Sequence, residues 1–213
     1  MIAPTLELER ALFAANARLV AGIDEVGRGA LAGPVSVGVA VVDVSVGEVP
    51  YGLTDSKLLT AAKREALVPK LAEWCVTFAV GHASASEIDE VGIIAALRLA
   101  GIRALTALDV VPDAVILDGS HDWLTLHDDL FSDSAGVETP PVTMRVKADQ
   151  MCASVSAASV FAKVERDAIM QELDASFPGY GLAGHKGYGS QTHRDAIRAL
   201  GASDIHRRSW NLL

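Results

Sequence analysis

Four carboxylate positions stand where a strand pattern ends or a helix pattern begins. Asp24 and Glu25 close the apolar run Val20–Ile23, and Asp118 follows Val115-Ile116-Leu117. Asp149 stands between the run Val142–Lys147 and a long helical pattern. Strand ends are where α/β sheets gather functional groups. Acids converging there offer hard oxygen donors to a divalent cation such as Mg²⁺ or Mn²⁺. Without a cation, their mutual repulsion raises some of their pKa values. Taken singly, an acid after a strand is more often a turn residue or a helix N-cap. The adjacent pair Asp24-Glu25 at the end of an apolar strand is harder to explain in that way. Neighbouring strand residues face opposite sides, so both reach one site only through a bent backbone, for which Gly22 and Gly27 give freedom.

Gly27-Arg28-Gly29 comes next. Glycines flanking an arginine let the backbone approach a ligand while the guanidinium reaches a phosphate or hydroxyl. The same residues, with Ala32, also match the dinucleotide fingerprint G-x-G-x-x-A. That fingerprint must open a helix, whereas Pro34 and the β-branched run Val35–Val42 follow here. Asp24 and Glu25 would also repel a pyrophosphate. Tyr188 lies in a glycine-rich loop, where an aromatic either anchors the loop or stacks on a nucleotide. His185, His193 and His206 show no zinc spacing and read as hydrogen-bonding residues of the structure. Lys57, Lys163 and Lys186, as isolated lysines, read as solvated charges. Cys75 and Cys152 read as small buried hydrophobes.

The elements that would position these groups follow from periodicity and punctuation. Glu7–Leu19 has helical spacing, with Leu8, Leu12 and Leu19 apolar, and Val20–Ile23 and Val35–Val42 read as strands. Thr60–Trp74 reads as a helix with Thr60 as N-cap and Pro69 as a candidate kink. Cys75–Val80 is a strand candidate. Ser84-Ala-Ser-Glu87 is a capping-box pattern opening a helix to about Leu108, with Ile93, Ile94, Leu97 and Leu105 toward the core. Ala114–Leu117 and Val142–Lys147 are further strands. Asp149–Phe177 reads as one helix, weakened by Ser154, Ser156 and Ser159 and ended by Pro178. Gly179–Gly189 is a loop, and Gln191–Leu200 a last helix closed by Gly201. Strands that come early and then alternate with helices imply an α/β layered fold with a mixed sheet.

Composition narrows the function classes. Half of the 213 residues are hydrophobic and 21% are charged, which excludes a disordered chain. No internal repeat or linker divides the sequence, so a single domain over 1–213 is expected. The uncharged stretch Gly29–Val42 is too short for a membrane helix. Met1–Arg10 does not read as a signal peptide, and two cysteines make no disulfide framework, so a reducing cytoplasm is the default. The net charge of −9 argues against a protein that coats nucleic acid through bulk charge. The charge is uneven, however: residues 145–213 carry +2 and the rest −11, and eight acids with no Lys or Arg fall between Asp109 and Glu138.

The residues carry a resemblance. Ala21-Gly-Ile-Asp-Glu-Val-Gly-Arg-Gly29, with Leu31-Ala-Gly-Pro34 after it, resembles the signature of bacterial ribonuclease HII. Asp55-Ser-Lys57, Leu117-Asp-Gly119 and Val146-Lys-Ala-Asp149 resemble further segments of that family, in its order. So do Ala157-Ala-Ser159 through Arg166-Asp167, His185-Lys-Gly-Tyr-Gly189 and Ile205-His-Arg-Arg-Ser-Trp210. The matches run from about residue 19 to 210.

The resemblance implies a ribonuclease H-like mixed sheet flanked by helices, with a helical C-terminal part. It implies hydrolysis of RNA in RNA–DNA hybrids and incision at ribonucleotides embedded in duplex DNA, leaving 3′-hydroxyl and 5′-phosphate ends. Asp24, Glu25, Asp118 and Asp149 would hold two Mg²⁺ or Mn²⁺ ions. Gly27-Arg28-Gly29 would contact the ribose 2′-hydroxyl and nearby phosphate, and Tyr188 the following sugar. Lys57, Ser159, Lys163 and Lys186 are implied as further substrate contacts. The partner is nucleic acid, with no membrane and no obligate protein partner, so a monomer is expected. Ala148 stands where the family often has Gly, and the acidic stretch 120–141 finds no counterpart role. Two other classes compete: a nucleotide-binding module built on the glycine loop, and a non-catalytic nucleic-acid-binding protein of the same fold. The second would be expected to lack one or more of the acids, and all four are present.

Overall fold

The computed structural model describes residues 3–125 and 139–213, so most of the acidic stretch 120–141 lies outside the described residues. The order of elements is α1 (Glu7–Ala14), β1 (Leu19–Val26), β2 (Val35–Asp43), α2 (Ala61–Trp74), β3 (Thr77–Ala83), α3 (Ala85–Thr106), β4 (Ala114–Asp118) and β5 (Val142–Arg145). Then follow α4 (Ala148–Met151), α5 (Ala153–Ser176), α6 (Leu182–His185) and α7 (Gln191–Leu200), with a 3₁₀ turn at Ser56–Leu58 before α2. The architecture is α/β: a mixed five-stranded sheet in the order β3-β2-β1-β4-β5, flanked by helices. The pairs β1–β2 and β2–β3 are antiparallel, while β4 runs parallel to β1 and β5 parallel to β4.

The sheet is covered on both faces, which is why β2 reads as a continuous apolar run rather than an alternation. Side chains of one parity (Ala21, Ile23, Val37, Val39, Val115, Leu117) meet Ala96, Leu97 and Ala100 of α3. Those of the other parity (Val20, Ala40, Val42, Ile116) meet Val155, Ala158 and Phe161 of α5. A third, smaller cluster joins Met170 of α5 to Leu182, Ile197 and Ile205, so the C-terminal helices seat on the far end of α5 and on the loop after β1.

Several boundaries differ from the periodicity. The first helix stops at Ala14 because Asn16 takes a positive φ of 76°, and Leu19 opens β1 instead. β1 runs on through Asp24 and Glu25, whose ladder partners Gly38 and Val37 continue β2 opposite them. β5 ends at Arg145, short of Lys147, because Lys147 adopts the left-handed conformation (φ 60°) that turns the chain into α4. The strand expected from Cys75 is displaced to Thr77–Ala83. Pro69 lies inside α2 without ending it, and Thr60 caps that helix through its hydroxyl. The capping box at Ser84 and Glu87 is formed, but Gly92 breaks the helical path of α3 with φ 78°. The glycine-rich stretch 179–189 contains the short helix α6.

The largest difference is the segment read as one helix over Asp149–Phe177. Cys152 is extended (φ −105°, ψ 124°) and separates α4 from α5. The break is stabilised from outside: Thr5 bridges Cys152, donating to the Met151 carbonyl at 2.8 Å and accepting from the Ala153 amide at 2.9 Å. The serines do not weaken α5, because each has a partner. The Ser154 hydroxyl donates to Glu9 at 2.7 Å, Ser156 to the carbonyl of Asp149, and Ser159 exchanges a 2.7 Å bond with Ser56.

Candidate active site

The four acids meet at one end of the sheet, where β1 and β4 end side by side and α4 begins. Asp24 and Asp118 lie on the parity that faces α4 and α5, and Glu25 on the other. No break in the ladder brings Asp24 and Glu25 together. The anticipated bend at Gly22 is absent, and this glycine serves another purpose: a Cβ there would collide with the backbone of Ser154. Gly38 on β2 likewise faces the carbonyl of Ala158. The two glycines let α5 lie close against the sheet, which brings Ser159 to Asp24.

The approach of α4 follows from the turn at Lys147. It delivers the Ala148 amide to Asp118 Oδ1 at 2.7 Å, and Asp149 comes with it. Asp149 Oδ2 accepts from Lys57 Nζ at 2.8 Å, and the same ammonium lies 3.6 Å from Asp55. The turn that carries Lys57 is itself tied down. Asp55 caps it through the Lys57 amide (2.9 Å) and accepts from Gln150 (3.2 Å), while Arg64 donates to the carbonyls of Ser56 and Leu59.

The electrostatics show a cluster of like charges. Burial, then the neighbouring Glu25, pushes the Asp24 carboxyl up to about 8; a hydrogen bond from Ser159 and the charge of Lys57 only partly offset this. Glu25 is raised mainly by burial, with Arg28 opposing and Asp118 adding to it. Asp118 is raised by burial and then by Asp149. Burial works against the Lys57 ammonium, but its bond to Asp149 and the surrounding carboxylates outweigh this, and its pKa is raised.

These residues suit a hard cation. All are oxygen donors, they carry excess negative charge, and Lys57 already stands among them as a cationic stand-in. Glu25 Oε2 is buried without a hydrogen-bond partner among the described residues. Among the described residues, no three acids, histidines or cysteines are already closed around a single point. The set would hold a divalent ion through its chemistry, and Lys57 sits where the charges converge.

Beside the acids lies the turn Gly27-Arg28-Gly29. Arg28 reaches back to Glu25 at 3.5 Å, and Gly29 faces open space. Tyr188 stands against this turn: its hydroxyl accepts from the Gly27 amide at 3.2 Å, and its partly exposed ring lies 5.6 Å from the guanidinium of Arg166. The other expected contacts are placed differently. Ser159 is buried beneath Asp24 rather than on an accessible surface. Lys163 is turned to Asp167 at 2.6 Å, an acid it shares with Arg64, and is not brought to the four carboxylates. Lys186 adopts a left-handed conformation, and its carbonyl accepts from Arg166.

The sequence reading singled out neither Ser56 and Gln150, which brace the Lys57 turn, nor Arg166 and Arg207, which back the glycine turn. All four fall within or beside segments whose order carried the resemblance, which was the available signal. The histidines are hydrogen-bonding residues, as read. His193 Nδ1 meets the Tyr188 carbonyl at 3.0 Å and its Nε2 meets His206 Nε2 at 3.2 Å. The Ser203 amide donates to His206 Nδ1, so the His206 proton is on Nε2 and points at His193. Burial holds the pKa of His193 down to about 4 and also lowers that of His206.

A family model described as ribonuclease HII matches residues 21–213. The chain belongs to the ribonuclease HII family. It is 47% identical to the ribonuclease HII of Streptomyces avermitilis over 213 residues, covering 99% of this chain and 84% of that one. It is 45% identical to that of Thermus thermophilus over 192 residues, covering 90% and 86%. Among solved structures, the ribonuclease H2 of Pyrococcus horikoshii superposes with a TM-score of 0.71 at 29% identity, over 91% of this chain and 94% of that one. The Bst-RNase HIII structure in complex with Mn²⁺ shares the fold, with a TM-score of 0.60 at 23% identity over 86% and 63%. The enzyme is therefore a ribonuclease H-type hydrolase acting on nucleic acid, of a family that cleaves the RNA of RNA–DNA hybrids. Among the described residues, no helix is long and apolar enough to cross a membrane.

Proposed function

We propose that the enzyme hydrolyses the RNA strand of RNA–DNA hybrids and incises duplex DNA at embedded ribonucleotides, leaving 3′-hydroxyl and 5′-phosphate ends. The observation that carries this reading is the position of four carboxylates at one sheet end, directly beside a turn with outward amides and a tyrosine. Asp24, Glu25, Asp118 and Asp149 would hold Mg²⁺ or Mn²⁺, and the Mn²⁺ complex of the Bst-RNase HIII relative is in keeping with that choice. Such ions, when bound, supply an activated water and stabilise the leaving oxygen.

The protein's own groups have separate tasks. Ser159 fixes the Asp24 carboxylate, and Ser56 fixes Ser159. Lys57 screens Asp149 and is suited to meet a phosphate when the acids take up cations. The amides of Arg28 and Gly29 face the 2′-hydroxyl, the group that distinguishes RNA from DNA at one position. Tyr188 packs its ring on the sugar that follows. Lys186 lies in the same loop and would meet the backbone. All of these residues come from one chain, in keeping with one catalytic domain over 1–213 that works as a monomer.

The test is incubation with duplex DNA containing a single ribonucleotide, with Mg²⁺, Mn²⁺ or EDTA. Incision at the ribonucleotide with either metal and none in EDTA is expected. Equal cleavage of the all-DNA duplex, or undiminished cleavage in EDTA, would overturn the reading.

A further inference from the structure

Arg166 and Arg207 are among the largest fully buried side chains of the protein. A buried guanidinium ordinarily sits against a carboxylate, because burying an unpaired charge is costly. Neither does so here: every hydrogen bond the two make among the described residues goes to a backbone carbonyl. Arg207 donates to Gly27 at 2.6 Å, Arg28 at 2.7 Å and Gly33 at 3.2 and 3.3 Å. Arg166 donates to Pro34 at 2.8 Å, Lys186 at 3.0 Å and Ala32 at 3.3 Å.

These acceptors all belong to two loops, the turn after β1 and the loop carrying Tyr188. A peptide whose oxygen is drawn inward presents its N–H outward. With the oxygens of Gly27 and Arg28 fixed on Arg207, the N–H groups of the same peptide planes, those of Arg28 and Gly29, face away from the guanidinium. No described acceptor meets those two amides. Gly27 is obligatory at its position for a related reason: its φ is 83°, and a Cβ there would collide with Arg166. The ring of Trp210 supports Arg207 from behind, at 4.9 Å.

We propose that Arg207 and Arg166 are positioning residues for ribonucleotide recognition, aiming the Arg28 and Gly29 amides and holding the Tyr188 loop in register with them. The inference rests on the proposed reading of the glycine turn and deepens it. The guanidinium fork is what the role requires: it spans several carbonyls at fixed angles, which a lysine ammonium of equal charge cannot do. Both guanidiniums lie buried behind the turn, where they hold its carbonyls rather than meeting a ligand themselves. Burial disfavours charge on both guanidiniums, and the more distant carboxylates of Asp167 and Asp89 offset this only in part.

A structural staple would predict only loss of stability, so the experiment reads a ratio. Wild type, Arg207→Lys and Arg166→Lys are titrated with two duplexes, one with a single ribonucleotide and one all-DNA, with Ca²⁺ replacing the catalytic metal. Circular dichroism confirms folding. The lysine variants should lose about tenfold or more of the ribonucleotide preference, while affinity for all-DNA duplex changes less than about threefold. A preference equal to wild type in folded variants would overturn the proposal. If the lysine variants do not fold, Trp210→Leu decides by the same ratio, since it loosens Arg207 without removing its hydrogen bonds. A wild-type ratio of one would instead overturn the parent reading of ribonucleotide recognition.

Discussion

Asp24 is the residue on which the site's electrostatics turn. In the metal-free protein the folded state keeps its carboxyl protonated up to about 8, whereas the unfolded chain ionises it near 3.9. The unfolded state therefore binds fewer protons between those values. The stability that the protonated form contributes below pH 4 is lost as pH rises toward 8. Asp24→Asn keeps the amide-accepting oxygen toward Glu25 and removes the charge. In EDTA it should melt several degrees above wild type at pH 8, with the gain shrinking toward pH 4; a constant difference across that range would show that Asp24 is not held protonated. The same variant should lose cleavage by at least about a hundredfold, measured with saturating Mg²⁺, because it removes a charged ligand.

Tyr188 offers a second test at this scale. Its ring and its hydroxyl have different surroundings: the ring is partly exposed beside the Arg166 guanidinium, and the hydroxyl accepts from the Gly27 amide. Tyr188→Ala should reduce kcat/KM more on duplex with one ribonucleotide than on a continuous RNA strand, because only the former offers the deoxyribose contact. Tyr188→Phe leaves the Gly27 amide unpaired, a change of about 1–3 kcal/mol, and should be intermediate. Equal losses on both substrates would reduce Tyr188 to a loop anchor.

Among the elements, α5 decides how tightly the site is drawn. Gly38→Ala places a methyl against the carbonyl of Ala158, and overpacking of that kind costs about 1–3 kcal/mol or more. The expected result is a lower melting temperature together with reduced activity, since moving α5 also moves Ser159 from Asp24. A variant with unchanged melting would mean that the helix shifts without strain. The close packing of α5 also explains what was legible beforehand. The strands and most helices were readable because β-branched runs and a capping box are local signals. Three glycines and Cys152 were not readable in that way, because their roles depend on residues far along the chain. Gly22 answers to Ser154, Gly38 to Ala158, Gly27 to Arg166, and the extended Cys152 to Thr5. The four acids could be picked out as strand-end residues, yet their neighbours Ser56 and Gln150 could not, since nothing local joins the Lys57 turn to α4. Buried arginines are hardest of all: a sequence shows their charge, and only the fold shows that their partners are carbonyls.

The molecule as a whole carries a net charge of −9 and must still hold a polyanion. Its cationic groups near the acids are few and already paired, Lys57 with Asp149 and Arg28 with Glu25. Binding of hybrid duplex should therefore show a shallow salt dependence, with log Kd rising by roughly 3–5 per log unit of salt, the signature of few displaced counterions. Titration of Asp24→Asn with hybrid duplex across a KCl series, at fixed Mg²⁺, measures it. A slope near 10, as extensive phosphate contact gives, would require a far larger basic footprint.

The bonds from Arg207 to Gly27 and Arg28 join residues separated by 180 and 179 positions. Closing a chain loop of that length carries an entropic cost of about 4–5 kcal/mol, whereas β1, β2 and β3 pair between near neighbours in sequence. Assembly is thus ordered by chain connectivity: the antiparallel meander can form early, and the clasp on the glycine turn comes late. Between those stages the polypeptide has a sheet and a hydrophobic interior, but the glycine turn is not yet held by Arg207. If Arg207 has the proposed positioning role, substrate discrimination depends on segments 180 residues apart staying joined, and it is lost when the segment around Arg207 detaches.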